Sequence, residues 1–112
     1  MTLQRRDFCI AATAAMALAA RAQSWPARTV TIVVPQAPGG TNDALGRILA
    51  QKLTERLGQT FVVENRVGAG GNIGTAATAK APRDGYTLLL TISSAQAINP
   101  ALYKSTGFDP VK

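Results

Sequence analysis

Apolar and polar positions alternate from Thr29 to Val34, placing Val30, Ile32 and Val34 on one face of a strand. Val33 breaks the polar half of that alternation, as expected where both faces of a sheet are covered. Leu45, Ile48, Leu49, Leu53 and Leu57 then recur at spacings of three and four, which predicts a helix over 43–57 with a single apolar stripe. Arg47, Gln51, Lys52, Glu55 and Arg56 take the opposite side. Thr41 or Asn42 is the expected N-cap, Asp43 suits the positive end of the helix, Lys52 and Arg56 suit the negative end, and Gly58 stops it. A second strand is predicted over 60–65 and a short, alanine-rich helix over 75–81, ended by Pro82. Asp84-Gly85 reads as a turn, and the apolar run 86–92 as a third strand from a sheet interior. Beyond it, 95–98 is weakly helical, Asn99-Pro100 opens a short helical turn over 101–103, and the rest is loop.

Strands alternating with helices predict an α/β fold, a layered β-α-β-α-β parallel sheet. In such a sheet the three strand-to-helix loops, 38–43, 68–72 and 91–94, emerge at one edge, the carboxyl ends of the strands, where ligands bind. Each loop is rich in glycine or hydroxyl groups. The stretch Pro35 to Asp43 is the most informative: strand, glycine turn and helix N-terminus in that order make a cradle for an anion. Taken alone it could be an ordinary turn; three convergent donor-rich loops favour a binding site.

Composition narrows the chemistry. Cys9 is the only cysteine and there is no histidine. Once residues 1–22 are set aside, disulfides, Cys/His zinc sites and nucleophile pairs using either residue are excluded. Arg5-Arg6, the apolar stretch 9–20 and Ala20-Arg21-Ala22 have the plan of a signal peptide over residues 1–22, for the general secretory or twin-arginine route, leaving 23–112 as the mature part. Those first residues carry three arginines and one aspartate, so nine basic and five acidic residues remain, net +4. This excess is spread out rather than clustered, which argues against nucleic acid and suits a small anion. Gly68 to Gly74 misses the G-x-G-x-x-G spacing by one residue, and Gly39-Gly40 lacks the Lys-Ser/Thr of a phosphate loop. The carboxylates Asp43, Glu55, Glu64, Asp84 and Asp109 are dispersed, and no base stands ready for the hydroxyls of Thr41, Thr91, Ser93 and Ser94. The pattern is that of a binder, not an enzyme, with no cofactor and no metal.

Blocks along the chain carry a specific resemblance. They are Trp25-Pro26, Val33-Val34-Pro35, Pro38-Gly39-Gly40-x-x-Asp43, Leu57-Gly58-Gln59 and Val63-Glu64-Asn65-Arg66, then the run Gly68 to Gly74, Asp84-Gly85-Tyr86-Thr87-Leu88, and Ile98-Asn99-Pro100-x-Leu102-Tyr103. In this order they resemble the Bug family, the extracytoplasmic solute-binding proteins of tripartite tricarboxylate transporters. The resemblance implies a periplasmic protein with a two-lobed, type II-like periplasmic-binding-protein fold that closes on a small organic carboxylate and delivers it to the transporter's membrane components. It implies ligand contacts from Gly39, Gly40, Thr41 and Asp43 in the first loop, Gly70, Gly71 and Asn72 in the second, and Ser93 and Ser94 in the third. It also implies that residues 23–112 are the N-terminal part of the first lobe, a truncated chain without the opposing lobe. A remnant without ligand function is the alternative, followed by a fragment of a nucleotide-binding enzyme.

Overall fold

The computed structural model describes residues 24–111. Three strands, β1 (Val30–Val34), β2 (Phe61–Asn65) and β3 (Thr87–Leu89), form one parallel sheet in the order β2-β1-β3. The central strand pairs Val30 with Phe61 and Val34 with Asn65 on one side, and Thr31 with Thr87 and Val33 with Leu89 on the other. Between the strands run α1 (Thr41–Leu57) and α2 (Asn72–Lys80). A π-helical turn (Ser94–Ile98) and the short α3 (Asn99–Leu102) follow β3. The predicted β-α-β-α-β order is therefore the observed one.

Strand periodicity decides what each helix covers. Val30, Ile32, Val34 and Phe61 face α1 and form the buried core with Ala50, flanked by Leu53, Val63, Leu88 and Leu90. Burying each of the larger side chains contributes roughly 1.5–3 kcal/mol. The other face of β1 meets α2: Thr31 and Val33 share a groove with Ala77 and Thr78, and Pro35 lies against Gly74. Val33 is only 3% exposed, which is why it is apolar on the face where Thr31 is polar. At the amino edge Trp25 Nε1 donates to the Gly85 carbonyl at 3.0 Å and the indole stands edge-on to Phe61, covering the margin of the core.

Three expectations need correction. The 86–92 strand is only Thr87–Leu89. Thr31 N–H donates to the Tyr86 carbonyl and Leu90 N–H to the Val33 carbonyl, but the next donor in that ladder would be Pro35, which has no N–H. The first helix begins at Thr41 and its N-cap is Gly40, without a side-chain cap bond, rather than Thr41 or Asn42. The Asp43 carboxylate reaches back instead and takes up the loop amide of Gly39. Finally, most of the apolar stripe of α1 lies off its packed face, only Leu53 of it packing against the core. Leu45, Ile48, Leu49 and Leu57 are exposed, while Asp43, Gly46 and Ala50 are buried. Small residues win this contact because α1 lies so close to the sheet that a β-carbon on Gly46 would be 3.1 Å from Val34 Cγ2.

Candidate functional site

Because all three strands are parallel, their carboxyl ends share one edge, and the loops after β1, β2 and β3 meet there. In the first loop Gly39 adopts φ +86°, a left-handed conformation that suits glycine, and its N–H donates to Asp43 Oδ2 at 2.9 Å. Gly40 N–H turns back to the Ala37 carbonyl. The first helical bond of α1 runs from Ala44 N–H to the Gly40 carbonyl at 3.0 Å. The amides of Thr41, Asn42 and Asp43 therefore form the open, electropositive end of the helix.

Asp43 is 4% exposed, and its carboxylate is fully used. Oδ2 accepts from Gly39 N–H and from Arg47 Nε at 3.1 Å, and Oδ1 accepts from Asn65 Nδ2 at 3.1 Å. The Gly39 amide first, then the Arg47 guanidinium and Asn65 amide, hold this carboxyl below its ordinary value against the opposing effect of desolvation. The loop is tied further by Asn65 Nδ2 donating to the Gln36 carbonyl at 3.2 Å and by Asn42 Nδ2 donating to Gln36 Oε1 at 3.0 Å. Asp43 thus acts as the organiser of the first loop.

The second loop passes through Gly68, Ala69, Gly70 and Gly71, all at positive φ, before α2 begins at Asn72. Gly71 is the meeting point of the edge: a β-carbon there would stand 3.3 Å from Gln36 Nε2 in the first loop and 3.3 Å from Ala95 Cβ after β3. Asn72 is buried, and its Oδ1 accepts from Asn99 Nδ2 at 2.9 Å. Among the described residues the side-chain nitrogens of Gln36 and Asn72 and the Thr91 hydroxyl are buried without a partner. These three orphans fall one to each loop. Buried polar groups are normally satisfied, so their clustering around one edge marks it as a candidate polar site.

The structure brings Gly39, Gly40 and Asp43 of the first loop together with Gly70, Gly71 and Asn72 of the second, joined through Gln36. Thr41 and Ser93 are exposed and Ser94 is half-buried. None of these three hydroxyls makes a side-chain hydrogen bond among the described residues. Gln36, Asn65 and Asn99 are the structural partners that sequence reasoning did not place at the site. Asn65 reads only as the end of a strand and Asn99 only as a residue before proline. A groove of about 580 Å³ lies elsewhere, between Ile73, Ala77 and Lys80 of α2 and the segment Tyr103 to Gly107. It reaches the loop edge only at Ala69 and Asn72. That groove is lined mainly by α2 and the segment after α3, so it is a poorer guide to chemistry than the orphaned polar atoms. Among the described residues no three of His, Cys, Asp and Glu gather as a metal site, and no helix is long and apolar enough to cross a membrane.

Comparison with known proteins identifies the family. The family model described as the tripartite tricarboxylate transporter family receptor matches residues 45–112. The chain is 55% identical to protein BugT of Bordetella pertussis over 84 residues, 75% of this chain and 26% of BugT. It superposes with TM-score 0.77 and 45% identity on an R. palustris protein solved with adipate, over 80% of this chain and 30% of that one. With MatC from Rhodopseudomonas palustris, solved with bound malate, the TM-score is 0.69 and the identity 37%, over 79% and 30%. Other solved relatives are described as a periplasmic transporter and a periplasmic binding protein. The chain spans about a quarter of the length of curated relatives it matches. With well over half of its residues matched, the chain belongs to the tripartite tricarboxylate transporter receptor family, whose members are periplasmic solute-binding receptors rather than enzymes.

Proposed function

We propose that this chain supplies one wall of an extracytoplasmic binding site for a small organic carboxylate, and that residues 23–112 form the N-terminal part of the first lobe of a two-lobed receptor. The observation that carries the reading is the open N-terminus of α1 beside the second glycine loop, with an unpartnered polar side-chain atom in each of the three loops. The amides of Thr41 and its neighbours, with the Gly70 amide and the Asn72 side-chain amide, supply donors to a carboxylate; Gly71, whose N–H is spent on the Gly68 carbonyl, keeps the second loop close to the first, and Ser93 and Ser94 lend hydroxyls from the third loop. Gly39, Gly40 and Asp43 shape the first loop and let the ligand approach the backbone. Two relatives solved with dicarboxylates, adipate and malate, support this choice of ligand. Delivery to the membrane components of a tripartite tricarboxylate transporter accords with the family's description as a receptor. Export to the periplasm rests on the signal-peptide pattern of residues 1–22, which lie outside the described residues.

The test is a thermal-shift and calorimetric screen of the chain against adipate, malate and other mono-, di- and tricarboxylates, with the corresponding amides as controls. A ligand that binds only the folded form stabilises it by about 2.7 kcal/mol at a hundredfold excess over its dissociation constant. A cooperative transition that moves with a carboxylate and not with its amide is the expected result. A transition that no carboxylate moves would refute binding by this chain.

A further inference from the structure

The second loop holds an unusual conformation. Gly68, Ala69, Gly70 and Gly71 have φ of +136°, +49°, +65° and +97° in succession. Ala69 carries a β-carbon into the left-handed region, where it is disfavoured. Inside the loop the bonds are few: Gly71 N–H to the Gly68 carbonyl, and Asn72 N–H to the Ala69 carbonyl. Something outside the loop must hold it.

Asn99 is placed to do so. It is 7% exposed, and its Nδ2 lies 2.9 Å from the Gly70 carbonyl and 2.9 Å from Asn72 Oδ1. The same nitrogen and the Tyr103 hydroxyl crowd Gly70, where a β-carbon would meet them at 3.2 and 3.3 Å. The π-helical turn Ser94–Ile98 delivers Asn99 to this position while seating Ala95 against Gly71. By occupying Asn72 Oδ1, Asn99 also fixes which end of the Asn72 amide is left over. The remaining end is Nδ2, a buried donor with no acceptor among the described residues.

We infer that Asn99 is the positioning residue of the second ligand loop. It braces Gly70 and sets the Asn72 amide so that the loop offers a donor rather than an acceptor, which selects ligands that present oxygen lone pairs. The ligand half of this inference rests on the carboxylate reading above; the bracing half does not.

Asn99→Asp tests it, because shape is kept while the donor is lost. The Asn72 amide can then rotate and donate to the introduced carboxylate, regaining one bond but turning its oxygen outward. Three quantities are measured on the chain: amide hydrogen exchange without ligand, the melting midpoint, and adipate affinity by calorimetry at a temperature where the variant is folded. The expected result is adipate binding weakened about tenfold or more, the effect of losing one hydrogen bond to a charged group, with a smaller loss of stability. Asn99→Ala, which removes both bonds, should speed exchange at Gly71 and Asn72 about tenfold while leaving Val33 and Val63 of the sheet protected. Unchanged adipate affinity in Asn99→Asp, or unchanged loop exchange in Asn99→Ala, would overturn the assignment. If the unmodified chain binds no carboxylate, that result refutes the ligand reading, and loop exchange alone decides the brace.

Discussion

The substitution Gly74→Ala should destabilise the protein even though alanine is the better helix former, and the reason can be worked from distances. Gly74 is buried in α2, where a β-carbon would stand 2.7 Å from the Arg66 carbonyl oxygen, 2.7 Å from Pro35 Cβ and 3.1 Å from Pro35 Cα. Ordinary contact begins at 3.4 Å, so about 0.7 Å must open toward the ends of both β1 and β2. Neither neighbour yields cheaply, since one is backbone and the other a proline ring. Gly46 in α1 is the internal control. Its added β-carbon would meet only side-chain methyls, Val34 Cγ2 at 3.1 Å, Leu90 Cδ2 at 3.4 Å and Val63 Cγ2 at 3.6 Å. Both substitutions gain about 1 kcal/mol of helix propensity. Overpacking of about 1–3 kcal/mol opposes that gain at Gly74 and should prevail there, leaving a net loss of up to about 2 kcal/mol. At Gly46 the methyls give by a few tenths of an ångström and the two effects nearly cancel. Urea unfolding followed by circular dichroism should show a lower midpoint for Gly74→Ala with an unchanged slope, and a fall in melting temperature of about 4–8 °C per kcal/mol. The displacement also moves the second loop away from the first, so carboxylate affinity should fall with it. Equal stability of the two variants would refute the reasoning, because it would mean that α2 does not touch the sheet as closely as described.

Two further predictions concern single side chains. Thr54 Oγ1 accepts from Phe61 N–H at 2.9 Å and donates to the Ala50 carbonyl at 2.8 Å, so Thr54→Val should strand the amide that opens β2 and cost about 1–3 kcal/mol in chemical denaturation. Asp43 has a folded-state pKa lowered from 3.8, so its contribution is fully present above that value and is lost as pH falls through the depressed one. Asp43→Asn should therefore lower the melting temperature at neutral pH, with the gap to the unmodified protein closing below about pH 4; a gap that persists in acid would contradict this.

The fold was legible in the sequence because its strongest signals are local. Alternation in 29–34, the continuous run after Gly85 and the helix stops at Gly58 and Pro82 specify elements without knowledge of neighbours. What was not legible depends on which face meets which. The leucine stripe of α1 has the right period for a core face, yet Gly46 and Ala50 take that place, because separation between helix and sheet is a tertiary quantity that favours small residues. The same limit applied to the site. Glycines and hydroxyls marked the loops correctly as loops, but Gln36, Asn65 and Asn99 join them across 29 residues or about that many, as in the Asn65–Gln36 and Asn99–Gly70 bonds, and no spacing rule reaches so far. Asn99 was visible only as a residue that caps a turn before proline; in the structure it is instead the first residue of α3, in helical conformation, and its side chain reaches Gly70 and Asn72.

The two loops solve one problem by different means. A carboxylate site made of backbone amides must keep those amides in place before the ligand arrives, since ordering a glycine loop upon binding would consume much of the affinity. The second loop is held by a neutral side chain, Asn99. The first is held by Asp43, an anion placed close to the proposed carboxylate site, which on charge alone would be self-defeating. The hydrogen bonds explain how it is tolerated: the Asp43 oxygens accept from Gly39, Arg47 and Asn65, and the Arg47 cation lies 3.1 Å away. Its charge is further offset by its place in the first turn of α1, where the helix dipole favours a negative group. With that charge compensated inside the protein, the amides at the start of α1 remain the outward electrostatic feature of the loop. A neutral asparagine at this position could keep part of the geometry, but it could not accept from all three donors at once. The carboxylate is therefore kept for its capacity to accept, and Arg47 makes that capacity compatible with the proposed anion site next door.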